Sequence, residues 1–529
     1  MPSGSTNRQD DRSATEAAGG VDKATPYAYY ALGLLVLANL FNYLDRHVIA
    51  VLSPAIQADL GLTDADMGFL LGTAFAVLYG VIGIPAGRIA DTLSRTKLMA
   101  GGLALWSSMT ALSGAAVSFA TLGAARVGVG VGEATANPVS HSLLCDYFPA
   151  RNRSAVLGCY LGSVHLGIGL SLVFGGLLLQ YWGDWCSLFP GDACRLESWR
   201  AGFVMLGIPG LLLAVLILLL REPPRPEGTI KSQAGAVIRA EFASTLPPFT
   251  LFTLARTGGA RAVRTNMLIA ALVFGPCCAI AYATGDWAQW IAVAIGVYSV
   301  ATWALLLRLR DRPLYNLTFG CRTFNYSMFA GAFIACFVGT IGVWAPPYAL
   351  RTFDTAEGQI GIALGIAQLV AAGTSVVLGG FITDWWKRRD VQAPIWIGLI
   401  ALLAPIPMLL WMLTTTSLTG FIAAFCFLTL FAMCWAGAFA ALVQDLVLVR
   451  MRGVAAAIFA MVMILTASGL GPYWAGKVST MTGSLTTGLY SLLVFVPIAV
   501  VLLLLAARRL AKETPERRMS LAREGGEPI

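Results

Sequence analysis

Charge is scarce in this chain of 529 residues: Asp, Glu, Lys and Arg together make up 12%, against 57% hydrophobic residues. An ordinary globular surface needs about twice that charge, so a soluble fold is excluded. Histidine is scarcer still, limited to His47, His141 and His165. The sequence also lacks His-Glu-x-x-His, Gly-x-Ser-x-Gly and Cys-x-x-Cys patterns, so neither a hydrolase nor a metal site is expected. The first twenty residues are polar and hold no apolar core with a small-residue cleavage site, which argues against a secretory signal. The formal charge of +8 does not indicate nucleic acid, because the basic residues stand in short runs between apolar stretches.

Those apolar stretches dominate the chain. Runs of roughly 20 residues, enough to cross about 30 Å of hydrocarbon, recur throughout. Six fall at 30–52, 68–90, 98–119, 122–145, 155–181 and 200–220. Six more fall at 324–345, 358–383, 393–413, 418–442, 454–475 and 487–507. Two others, 267–284 and 287–307, lie between the sets and meet at the turn residues Gly285 and Asp286. The expectation is an all-α polytopic membrane protein of about fourteen spans. Its parts are a tail (1–29), a six-helix bundle (30–221), a linker with the extra pair (222–319), a second six-helix bundle (320–507) and a final tail (508–529). Lys and Arg concentrate in alternate loops, whereas the first connection carries Asp59, Asp64 and Asp66 with no basic residue. Basic loops resist translocation, so both termini are expected in the cytoplasm, with the chain in the cell inner membrane.

The two sets share a repeat. After the second span comes Gly87-x3-Asp91-x3-Arg95, and after the eighth of the twelve comes Gly380-x3-Asp384-x3-Arg388. Glycine would let two helices approach, the Asp would accept hydrogen bonds at a neighbouring helix N-terminus, and the basic residues would anchor at lipid phosphates. One such loop is weak evidence; two in matching positions resemble the signature loop of the major facilitator superfamily. That resemblance implies two six-helix halves working by alternating access around a central site.

Ionisable groups at mid-bilayer are costly and mark functional sites by default. Here they fall in the first set. Asn39, Asn42, Asp45 and Arg46 form one polar stripe on the first span. The fourth span reads Arg126-Val-Gly-Val-Gly-Val-Gly-Glu133-Ala-Thr-Ala-Asn137, placing Arg126, Glu133 and Asn137 on one face, with His141 beyond. Helical rise puts Arg126 at a depth comparable with Asp45 and Arg46, and Glu133 near the midplane. Two carboxylates and two guanidiniums sum to zero. Burial opposes ionisation of a carboxylate while a nearby Arg favours it, so such a set can load and release a proton. Glu133 and Asp45 are the expected protonatable pair, with Arg126 exchanging partners. Arg46 and Arg126 could instead meet an anionic head group, and a network that only fixes helix packing stays open as well.

Asn42-Tyr43-Leu44-Asp45-Arg46, Arg126 to Ala134, and Asp146-Tyr147-Phe148-Pro149-x-Arg151-x-Arg153 together resemble the spinster branch of that superfamily. The likeness implies carriage of lysophospholipids, sphingosine-1-phosphate and related amphiphiles, coupled to protons. It places proton coupling on Asp45, Glu133 and Arg126, and substrate contacts on Asn42, Tyr43, Arg46, Arg126, Glu133 and Asn137. No cofactor beyond the coupling proton is implied, and the chain is expected to act as a monomer among membrane lipids. The alternative is a small organic anion or drug as cargo.

Weaker signals complete the reading. Cys186 and Cys194 share a polar loop expected outside, where a disulfide would form. Pro346-Pro347 suggests a broken helix end, and Gly469-Leu-Gly471-Pro472 a kink. Gln368, Trp435 and Tyr473 are candidates to line the second half's cavity, or to be ordinary interface residues. His165 is a candidate proton relay or head-group ligand, or a structural residue. The extra pair has no functional reading beyond a lipid-facing brace.

Overall fold

The computed structural model describes residues 24–189, 193–223, 242–246 and 248–527, apart from the side chains at 84, 88, 91, 92, 150, 154 and 193. The start of the expected N-terminal tail, most of the linker before the extra pair and the Asp91 side chain lie outside those described.

The first half consists of α1 (Pro26–Leu60), α2, α3 (Arg95–Ser113), α4, α5 (Arg153–Trp185) and α6 (Ser198–Leu218). α2 is a rod made of Asp64–Gly68, a π-helical turn Phe69–Thr73 and Ala74–Thr92. α4 runs as Phe119–Glu133 and Ala136–Tyr147, interrupted just after Glu133. The inserted pair is α7 (Thr250–Thr284) and α8 (Trp287–Arg310). The second half has α9 (Arg322–Thr352), α10 (Glu357–Lys387), α11 (Ala393–Leu403 and Pro405–Thr414), α12 (Leu418–Ala432 and Trp435–Asp445), α13 (Arg452–Thr482) and α14 (Leu485–Leu510). No strand occurs among the described residues.

Local chemistry sets the ends. Thr25 caps α1, with Pro26 in its first turn, and Gly61 closes it in the left-handed region at φ 64°. Thr63 and Asp66 form a reciprocal capping box at the start of α2. Gly285, at φ 79°, turns α7 into α8. Twelve of the described spans are long and apolar enough to cross a membrane. α3 and α4 fall short of that measure but pack inside the first bundle, α3 between α4 and α6. α4 is less apolar because it carries Arg126, Glu133 and Asn137 of the site, and α3 because it carries Arg95, Thr96, Lys97 and several Ser and Thr. Several helices run past the expected spans, as helices do where they emerge beyond the hydrocarbon. α9 continues unbroken through Pro346 and Pro347, where a break was expected, and reaches Thr352. Residues 508–529 are more than a tail: α15 (Pro515–Glu524) packs on the short helix Arg312–Leu317, and Asn316 Nδ2 donates to the Leu521 carbonyl at 3.3 Å.

The halves meet at one end and part toward the other. At the end away from the repeat loops, Asp64 binds Arg351 of α9 through two bonds, 2.7 and 3.1 Å, and accepts from Ser479 of α13 at 2.6 Å. Gln57 joins them, donating to Asp64 at 2.8 Å and accepting from Arg351 at 2.6 Å. Beneath this latch, α5 lies on α10 so closely that a Cβ at Gly176 would meet the Glu357 carbonyl at 2.6 Å, and one at Gly169 the Gly365 carbonyl at 2.9 Å. Gly162 and Gly158 continue the same face of α5 by helical spacing, and a Cβ there meets nothing within 4 Å. The seam between α2 and α13 opens likewise: a Cβ at Gly68 would strike the Pro472 carbonyl at 2.5 Å, one at Gly80 would reach Leu465 at 3.5 Å, and one at Gly83 nothing.

Candidate functional site

The polar stripe of α1 is divided among three neighbours. Asn39 donates to the Tyr160 carbonyl (3.0 Å) and to Ser163 Oγ (2.9 Å), fixing α1 to α5. Asp45 accepts from Thr110 Oγ1 of α3 at 3.2 Å. Arg46 turns to α4: its Nη2 donates to Glu133 Oε2 at 2.5 Å and its Nε to the same oxygen at 3.1 Å, while Asn42 Oδ1 accepts from Nη2 at 3.3 Å. Three rings surround this guanidinium, Phe75 at 4.2 Å, Tyr43 at 4.8 Å and Tyr79 at 4.9 Å from centroid to Cζ. Such a box holds a cation by ring faces as well as by the carboxylate.

Arg126 has no exposed surface and donates to main chain, with Nη1 to the Asp45 carbonyl and Nη2 to the Arg46 carbonyl, both at 3.3 Å. The depths read from helical rise agree with this contact. The partner of Glu133 in this conformation is Arg46, held from the neighbouring helix, not Arg126 on its own. Spacing along α4 puts Arg126 and Glu133 on one face but two turns apart, and the rotation of α1 decides which of them is met. Asn137 lies one turn below Glu133, donating to Tyr79 Oη at 3.2 Å and accepting from Tyr160 Oη at 3.1 Å. Tyr79, Tyr160 and Thr110 carry no mark in the sequence as isolated polar groups; the i, i+4 aromatic pair Phe75 and Tyr79 was the signal available for α2.

One oxygen of Asp45 and Arg126 Nε are buried with no hydrogen-bond partner, and the second oxygen of Glu133 has only the Asn42 side chain beside it. Buried polar atoms are normally satisfied, so these three are places where a proton or a polar ligand atom would be stabilised. Above Arg46 and His47 a cavity of about 150 Å³ reaches the second half at Gly339, Ser468 and Pro472. It would hold a few waters and is too small for an amphiphile. No group of three or more His, Cys, Asp or Glu that could hold a metal occurs among the described residues.

The other candidates are scattered. Cys186 and Cys194 are joined by a disulfide. In the first repeat loop, Arg95 pairs with Asp146 and, at 2.9 Å, with Glu222, whose carboxylate also accepts from the amides of Arg95 and Thr96 (3.1 Å each) and from Ser94 Oγ (2.8 Å). Burial pushes the Glu222 carboxyl up, but the bonds from Arg95, Thr96 and Ser94 outweigh it and hold the group down at about 2. In the second loop, Asp384 and Arg388 are exposed. Close helix approach does not explain the two signature glycines: a Cβ at Gly380 meets nothing within 4 Å, and one at Gly87 only Pro138 at 3.9 Å. Gln368 and Trp435 are buried. Tyr473 is turned away from the centre and donates to Asp286 of the inserted pair at 2.6 Å.

The profile of the Major Facilitator Superfamily matches residues 35–472. The chain belongs to this superfamily. Human protein spinster homolog 1 is 30% identical over 322 residues, 59% of this chain and 52% of that protein. An MFS-type efflux pump of Mycolicibacterium smegmatis is 36% identical over 211 residues, 39% of this chain and 46% of the pump, so the chain spans about half the length of these relatives. Among solved structures, a bacterial homolog to the human lysosomal transporter spinster, inward-facing and occupied, superposes with a TM-score of 0.69 at 24% identity, covering 93% of this chain and 99% of that one. The major facilitator fold and the resemblance to the spinster branch both stand, and the chain is a multi-pass membrane protein.

Proposed function

We propose that this protein is a proton-coupled secondary transporter that moves lysophospholipids or sphingolipid-like amphiphiles by alternating access, without enzymatic chemistry or a cofactor beyond the proton. One observation carries the reading: Glu133, fully buried, is bonded to Arg46 inside an aromatic box, with Asp45 and Arg126 beside it. Protonating Glu133 would release Arg46 toward an anionic head group, and binding of that head group to Arg46 would favour the protonated acid. The two events are thereby linked through one guanidinium. Parting of the halves on the repeat-loop side, with the Asp64 latch closed opposite, suits an inward-facing state if both termini are cytoplasmic in the inner membrane, as the basic loops favour. The chain is taken to work as a monomer.

Proteoliposomes with an imposed pH gradient test the reading. Flux of lysophospholipid that the gradient accelerates, and that Glu133→Gln uncouples, is the expected result. The same response for a small organic anion with no competition by lipid would favour the second reading, to which the similarity to an efflux pump lends weight.

A further inference from the structure

Three separate parts of the chain converge on one main-chain oxygen. Pro472 stands inside α13, where it supplies no amide and crowds the carbonyl four residues earlier, loosening the helical ladder there. The neighbouring carbonyl of Gly469 accepts from Thr73 Oγ1 at 2.6 Å and from Gln289 Nε2 at 2.9 Å. Thr73 ends the π-helical turn of α2, and such turns recur where a helix aims one side chain at a functional point. Gln289 lies in the first turns of α8, in the inserted pair. Both donors are buried, at 0% and 1% exposed. The first half, the second half and the insertion therefore share a single acceptor at the seam that alternating access must open.

Among the described residues, the insertion's hydrogen bonds and ion pair run to α13, whereas it packs more broadly, and without a polar bond, on α2. Asp286 accepts from Tyr473 Oη and pairs with Lys477 Nζ, both at 2.6 Å, and Lys477 also donates to the Thr284 carbonyl at 3.0 Å. Gly469, Tyr473 and Lys477 are spaced at one turn each, so the turn of the pair lies along one stripe of α13. Within the pair, Asn266 joins Thr302 at 2.8 Å and Tyr298 at 2.5 Å. At Gly296 a Cβ would meet Leu465 of α13 at 2.9 Å and Val77 of α2 at 3.7 Å, both apolar. When the seam parts, Thr73 leaves with the first half while Gln289 stays with α13.

We propose that Gln289 is a positioning residue of the transport cycle, a standby donor that keeps the Gly469 carbonyl bonded when Thr73 departs, and that the inserted pair rides with the second half to deliver it. The proposal rests on alternating access and is independent of the substrate. It assigns opposite signs to the two donors. Removing Thr73 weakens only the closed seam, and removing Gln289 leaves the Gly469 carbonyl of the open seam with no side-chain donor beside the Pro472 kink.

Hydrogen–deuterium exchange of the full-length protein in detergent, without substrate or gradient, reads this directly over residues 64–73 and 468–476. Thr73→Val should speed exchange there by about tenfold, and Gln289→Leu should slow it by a similar factor, the effect of one hydrogen bond of about 1.4 kcal/mol. Gln289→Asn keeps the amide but lacks the reach, and should follow Leu if the larger change does not fold. Unchanged or faster exchange in both Gln289 variants overturns the proposal. So does an increase spread equally over α3 and α6, which would assign Gln289 to packing alone. If the exchange pattern holds while proteoliposomes show no lipid flux, the substrate reading falls and this one stands.

Discussion

The same loop appears in both halves with different surroundings. Arg95 is 3% exposed and held by Asp146 and Glu222, whereas Arg388, at the matching place, is exposed. One residue earlier, Lys387 pairs with Asp445 at 2.5 Å near the end of α12, much as Arg95 pairs with Asp146 near the end of α4. The pairing is kept and the burial is not. The contrast continues inward: among the described residues, the fully buried charged side chains are Asp45, Arg95, Arg126 and Glu133, all in the first half. The second half offers a largely apolar wall. The buried charge of the described residues thus lies in one half and faces a largely apolar other half.

That division can be broken by substitution. The largest effect belongs to Glu133→Gln, expected to abolish acceleration of flux by a pH gradient, while Asp384→Asn, at an exposed site, leaves it unchanged. Glu133→Ala should also lower the unfolding temperature, because stranding the Arg46 charge costs about 3–5 kcal/mol. Next comes Arg95→Ala, which removes the cation shared by Glu222 and Asp146 and should cost on the order of 2–3 kcal/mol in thermal unfolding, against about 0.5 kcal/mol or less for Arg388→Ala. Equal losses at both sites would erase the contrast. Gly72→Val would press on the Ser468 carbonyl and cost roughly 1–3 kcal/mol. Gly162→Ala, on the bare face of α5, should stay within about 0.5 kcal/mol.

Another expected effect depends on pH. The Glu222 carboxyl is held at about 2, below its usual value of 4.5, so it is the ionised form that stabilises the fold. Its contribution is fully present above the unfolded value and is lost as pH falls through the folded one. The difference in unfolding temperature between the parent and Glu222→Gln should therefore be constant at neutral pH, shrink below about pH 4.5 and be gone near pH 2. A difference that persists to pH 2 would assign Glu222 a role other than its charge.

Much of this was legible in the residues. Every expected span overlaps a helix, though 98–119 runs past the end of α3 at Ser113, because a run of apolar side chains long enough for the bilayer has few alternatives to a helix. The four charges of α1 and α4 stood out for the same reason. What periodicity could not supply was the rotation of one helix against another: it placed Arg126 near Asp45, but left the bond between Arg46 and Glu133, and the roles of Thr110, Tyr79 and Tyr160, to tertiary packing. Asp64 reads as a loop charge and Arg351 carries no mark in the sequence, since their pairing joins chain segments 287 residues apart. The signature glycines showed the opposite failure, a motif with a plausible reason that the contacts do not bear out.

The bare face of α5 at Gly158 and Gly162 has an energetic consequence for whatever enters. An amphiphile that slips sideways between α5 and α10 keeps its tail among lipid chains while only its head travels through protein. Each methylene held in hydrocarbon avoids about 0.8 kcal/mol of transfer to water, which over a long acyl chain amounts to roughly 10 kcal/mol or more. For the cargo proposed above, entry along that face would make tail length nearly irrelevant to the barrier and leave head-group size as the quantity sorted.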